Sequence, residues 1–179
     1  MFRTNLATNY IKRTIRPLYG WTQATPKSAF LDPSWDRSVA IWPGFVVTKT
    51  TGNNYTLIGS APVTTAADQE PAGFVGQFIG GAGIDELLES GVNALAVWVL
   101  GPDAEFEFLA PAFDPSQNWA AADAGDGVDT LVYASTGGSN QGALVLSADP
   151  NASTKPVGRL IQVESANSII VGGLQVRSA

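Results

Sequence analysis

From residue 39 onward the sequence is written in short runs of β-type residues, each stopped by Gly, Pro, Asn or Asp before it reaches ordinary helix length. "VAIWPGFVVTKT" (39–50) reads as a strand interrupted at Pro43-Gly44, and "TGNN" (51–54) supplies Gly and Asn for a tight turn into "YTLIG" (55–59). After a polar loop at 60–70, "GFVGQFI" (73–79) is the next strand. "ALAVWVLG" and "AEFEFLA" read as a pair joined at Gly101-Pro102-Asp103. In the second, Phe106 and Phe108 face one way and Glu105 and Glu107 the other, the period of a half-buried strand. "DTLVYAS" and "GALVLS" flank "TGGSN" as a hairpin, and "KPVGRLIQV" turns at "ESAN" into "SIIVGGLQV". "GIDELLESG" (83–91) carries the one clear helix signal, and the Pro/Ala/Asp/Gly stretch 110–128 reads as a loop. The expected fold is mainly β: a β-barrel or β-sandwich body of about ten short strands, with one short helix and an extended N-terminal arm.

The arm is residues 1–38 and the β-rich domain 39–179. "NLATNYIKRTIRPLYG" is expected to hold a short helix ending before Pro17. Pro17, Pro26 and Pro33 then make 17–38 extended and irregular. Charge divides the same way. The arm holds six basic and two acidic residues, a net of +4, and the rest holds four basic and fourteen acidic, a net of −10. The arm is also rich in large apolar side chains, unlike a disordered tail. It is therefore expected to dock on its own body or on a neighbour. Aromatic and Arg side chains anchor interfaces, so Arg3, Tyr10, Lys12, Arg13, Arg16, Tyr19, Trp21 and Trp35 are the expected partner-binding residues.

Catalysis has few tools here. The chain has no Cys and no His, which removes disulfides, thiolate metal sites and the commonest general base. Asp123, Asp126 and Asp129 recur at spacing three, which does not match a calcium loop and reads as an acidic surface. Glu105 and Glu107 have a separation suited to paired glycosidase acids, but their alternation with Phe106 and Phe108 already explains them as a solvated face. Trp98 or Trp119 exposed beside Glu105 would instead mark a carbohydrate-binding module. The arm is basic, yet the acidic body would be repelled by nucleic-acid phosphate. The longest apolar run, "ALAVWVL" (94–100), falls far short of the ~20 residues a spanning helix needs. No enzyme, cofactor, metal, membrane or direct nucleic-acid partner is expected.

A repeated phrase stands apart. "SAP…EPAGFVGQF" (60–78) and "SADP…KPVGRLIQV" (147–163) share the order Ser-Ala, Pro, polar loop, Pro-x-Gly, strand, with Gly73 and Gly158 placed 85 residues apart. Proline suits the first position of a strand, and glycine two residues on permits a bend or the close approach of another backbone. Duplication explains the pair, and so does ordinary strand punctuation.

"IWPGFVVTKTTGNNYTLIGSAPVTTAADQEPAGFVGQFIGG", "EFEFLAPAFD" and the closing "KPVGRLIQVESANSIIVGGLQV" resemble the head decoration (capsid cement) proteins of tailed bacteriophages, over roughly residues 40–179. The resemblance rests on pattern and composition. It implies a non-catalytic virion protein, made in the bacterial host cytoplasm, on the outer capsid surface. Such a protein is often a homotrimer and stabilises the contacts of the major capsid protein with its arm or loops. A tail-tube or head–tail joining subunit is the alternative, and a carbohydrate-binding β module the next.

Overall fold

The computed structural model describes residues 14–19, 25–33, 35, 40–60, 69–76, 94–99, 101, 104–123 and 130–174. Eleven strands, one short α-helix and a 3-10 turn at Gly138–Asn140 are defined among them: β1 Ile15–Tyr19, β2 Thr25–Leu31, β3 Val46–Lys49, β4 Asn54–Leu57, β5 Pro71–Val75, β6 Ala94–Val99, β7 Glu105–Leu109, α1 Trp119–Asp123, β8 Leu131–Ala134, β9 Leu144–Leu146, β10 Gly158–Ser165 and β11 Ser168–Gly172. They form a closed barrel, β2-β4-β3-β5-β6, and a six-stranded sheet ordered β1-β7-β11-β10-β8-β9. The mainly β fold and the barrel agree with expectation.

Turn chemistry builds the hairpins. β3 and β4 are joined through Gly52 at φ +60°, a left-handed position that favours glycine. β8 pairs with β9 and β10 with β11, both antiparallel. The barrel closes where β2 meets β4 in parallel, Phe30 opposite Asn54 and Leu31 opposite Tyr55.

Two clusters of buried side chains fill the molecule. One is the barrel interior, with Leu31, Trp35, Val47, Leu57, Leu95 and Val97. The other lies under the six-stranded sheet, with Phe106, Phe108, Phe113, Leu144, Ile169 and Val171, and it also takes in Val46, Ile58 and Phe74 from the barrel. Successive strand residues point to opposite faces. Val47 therefore fills the barrel while Val46 turns onto the sheet, and both are fully buried. The Phe74 and Phe108 rings meet at 5.0 Å. The second cluster thus joins the two sheets.

Several local expectations are corrected. Ile15 and Arg16 do not close a helix: they open β1, which runs through Pro17 and pairs with β7. Proline is tolerated there because β1 is an edge strand. Residues 25–31, expected to be irregular, form a barrel strand. At Pro26 β2 pairs only with β6, since β4 reaches β2 only at Phe30 and Leu31, so the missing amide proton breaks no second ladder. β6 and β7 are not a hairpin: β6 pairs with β2 and β5, and β7 with β1 and β11, so the chain crosses between sheets near Gly101. The loop expected at 110–128 contains α1, fixed by Trp119, which is buried edge-on to Phe113 and donates its indole N–H to the Asp114 carbonyl. The helix expected at 83–91 and the end of the strand at 77–79 lie outside the described residues.

Candidate functional site

Of the expected partner-binding residues, Arg3, Tyr10, Lys12, Arg13 and Trp21 lie outside the described residues. Arg16 and Tyr19 belong to β1. Trp35 is corrected outright: it is 3 % exposed inside the barrel cluster, so its side chain packs on its own body. Burial by a distant part of the chain leaves no local signal, which is why an aromatic residue in a proline-rich segment reads as surface.

β1 is tied firmly to the body. The Leu109 N–H donates to the Thr14 carbonyl at 2.8 Å, and the Thr14 hydroxyl donates to the Pro43 carbonyl. Ile15 is buried opposite Phe108. On the other face, Arg16 reaches Glu107 at 2.7 Å, and Glu107 also accepts the Ser168 hydroxyl at 2.8 Å. The Arg16 side chain is two-thirds exposed while that of Glu107 is largely covered, so the pair lies at the rim of the sheet. Leu18 is exposed beside it, at a break in register between Pro17 and Tyr19. A cleft of about 410 Å³ opens here, walled by Arg16, Pro17, Pro43, Trp98, Phe106 and Glu107. Gly76 stands in the same wall, and a Cβ there would lie 2.5 Å from the Trp98 indole nitrogen. Trp98 is half-buried and packs edge-on against Phe106.

The two Pro-x-Gly phrases meet in space. Glu70, Pro71, Ala72 and Gly73 line one side of a second cleft of about 410 Å³, and Lys155, Pro156 and Val157 line the other. Lys155 and Glu70 form an ion pair across it at 3.3 Å. Each phrase opens a strand, β5 and β10. A Cβ on Gly73 would lie 2.6 Å from the Trp98 carbonyl oxygen, and one on Gly158 would lie 2.7 Å from that of Gly172. Close approach of a neighbouring backbone therefore calls for glycine at both places, and at Gly73 a φ of +156° adds to it.

Polar side chains elsewhere, around the six-stranded sheet, act as struts. Asp114 accepts the amide and hydroxyl of Ser116, and Gln117 donates to Asp149 while its carbonyl accepts the Leu146 N–H. Asp123 accepts the Val163 N–H. Asp126 and Asp129 lie outside the described residues, among which no group of three or more His, Cys, Asp or Glu is gathered for a metal ion. Trp119, whose exposure would have marked a carbohydrate-binding module, is a core residue. Among the described residues no helix is long and apolar enough to cross a membrane.

A closed barrel and an open sheet joined through a common cluster, with Glu107, Asp114 and Asp149 engaged in holding strands and loops together, define a mainly β protein of two packed sheets. A family model described as phage cement protein matches residues 1–177, and the chain belongs to that family. It is thus a structural component of a phage capsid. The match extends beyond the 40–179 stretch that carries the resemblance in sequence and takes in the whole leading segment. Comparison with curated proteins and with solved structures returns no match.

Proposed function

We propose that the protein sits on the outer surface of the phage head and cements neighbouring major capsid subunits, its leading segment acting as the clamp and its β body as the platform. The observation that carries this reading is the way the segment is mounted. Residues 1–13 contain Arg3, Lys12, Arg13 and no acidic residue, and they adjoin an edge strand anchored at Thr14. The body they leave is strongly acidic, which favours protein surface over packaged nucleic acid as its neighbour. No step of this function calls for catalysis. A capsid offers many identical sites, and a ligand that binds only the assembled shell stabilises it by mass action.

β1 and β2 belong to the body, so the informative truncation removes residues 1–13 rather than 1–38. The shortened protein is expected to keep its melting temperature and to lose binding to cement-free heads. Normal decoration by the truncated chain would overturn the clamp. Unequal copy number in purified virions tests the placement: hundreds of copies fit the head surface, and tens or fewer fit a tail or joining position.

A further inference from the structure

The barrel and the six-stranded sheet repeat one connectivity. Read from the first strand of each, the barrel runs β2-β6-β5-β3-β4 and the sheet, β1 aside, runs β7-β11-β10-β8-β9. Both are first strand, fifth, fourth, second, third. The registers agree as well. Val46 pairs with Phe74 and Val47 with Gly73, while Leu131 pairs with Arg159 and Val132 with Gly158, every member displaced by 85 residues. Val47↔Leu57, Thr48↔Thr56 and Lys49↔Tyr55 answer to Val132↔Leu146, Tyr133↔Val145 and Ala134↔Leu144. Phe74↔Trp98 and Val75↔Val97 answer to Arg159↔Gly172 and Leu160↔Val171. Ala29↔Leu95 and Phe30↔Ala94 answer to Phe108↔Ile169 and Leu109↔Ser168.

Details that topology alone does not impose repeat too. A Cβ on Gly73 would strike the Trp98 oxygen and a Val97 methyl at 2.6 Å, and one on Gly158 would strike the Gly172 oxygen and a Val171 methyl at 2.7 Å; these are equivalent atoms. Outside the strands, the Asp32 N–H donates to Tyr55 at 2.8 Å and the Asp114 N–H to Leu144 at 3.0 Å, each Asp heading the sequence Asp-Pro-Ser. The tryptophan that follows each, Trp35 and Trp119, is buried in its own sheet's core.

We infer that residues 25–99 and 105–174 are two copies of one five-stranded unit, and that the duplicated chain grips two like surfaces of the capsid at once. Phe30 and Leu109 are the equivalent apolar anchors. They stand at the same register at the end of the first strand of each unit, Phe30 one residue from the end of β2 and Leu109 the last of β7, and both are exposed, at 42 % and 36 %. Leu131 is exposed to the same degree, but its counterpart Val46 is buried, so it is particular to one unit. A shell of repeated subunits presents the same apolar recess many times, which suits a ligand carrying two identical grips. This proposal rests on the cement reading above.

The test is titration of cement-free heads with intact protein and with Phe30→Ser, Leu109→Ser, the double variant and Leu131→Ser. Melting curves confirm that each variant is folded, and Ala replaces Ser where one is not. Each anchor variant is expected to weaken apparent affinity about 100-fold, the two alike within a few-fold, because bivalent binding falls back to a single grip. The double variant binds more weakly than either single one, and Leu131→Ser binds like the parent. Anchor variants that bind normally, that differ widely, or that are matched by Leu131→Ser overturn the two-grip proposal while leaving cementing intact. A parent chain that does not bind heads overturns the cement reading and the grips with it. An experimental structure in which Gly158 does not pair with Val132 overturns the duplication itself.

Discussion

The barrel and the six-stranded sheet use the same strands in the same order, yet one closes and the other does not. In the barrel, β2 is held between β6 and β4. In the sheet, its counterpart β7 lies between β11 and β1, so the place that β4 fills in the barrel is taken by a strand from the start of the chain. β9 instead meets the segment that follows β7, through the bridge Phe113↔Leu144 and the hydrogen bonds of the Asp114 and Leu144 amides. The opened sheet then has apolar area to cover, and the barrel covers it with Val46, Ile58 and Phe74. Position 29 in the barrel is Ala, while its counterpart in the sheet is Phe108, whose ring meets Phe74. A small residue suits a closed interior, and a large one reaches across a seam. One added strand therefore accompanies an open unit whose core is completed by its twin.

The largest effect should come from that seam. Phe108→Ala removes a fully buried ring between the two sheets and should cost about 3–5 kcal/mol, read as a shift in the denaturant midpoint. Unfolding should remain a single transition, because the cluster under the sheet contains barrel residues. Two separated transitions in the parent protein would show that the units do not depend on each other.

Next in size are the paired glycines. Gly73→Ala and Gly158→Ala each drive a Cβ into a backbone carbonyl that cannot move without disturbing its ladder. Each should cost about 2–3 kcal/mol, the two agreeing within about 1 kcal/mol. A costly Gly73→Ala beside a neutral Gly158→Ala would mean that the likeness of the two units stops at topology.

In both sheets the sequence is legible where a feature is local and not where a distant partner decides it. Local signals were readable: the Gly52 turn between β3 and β4, the alternation of Phe106 and Phe108 against Glu105 and Glu107, and the Pro-x-Gly entry to β5 and β10. What failed was every feature decided by a distant partner. Pro17 and Pro26 look like breakers until one sees that each needs only one hydrogen-bonded neighbour. Gly101-Pro102-Asp103 signals a hairpin, yet β6 and β7 find their partners in different sheets. The candidate site divides likewise. Arg16 was read as a partner-binding residue, and its bond to Glu107 places it at the rim. Trp35 was misplaced because its burial depends on strands that follow it in the chain.

The smallest effect is expected where the two units touch most visibly. Glu70 and Lys155 occupy equivalent positions, each directly before the proline of its phrase, and carry opposite charges. That arrangement invites reading the pair as the lock between units. Both side chains are more than half exposed, however, and exposed pairs are screened and lose side-chain entropy on ordering. Lys155→Ala or Glu70→Ala should therefore change stability by about 0.5 kcal/mol or less, with little response to added salt. A loss of 2 kcal/mol or more, restored by exchanging the two residues, would move the bond between units from the Phe74–Phe108 seam to this ion pair.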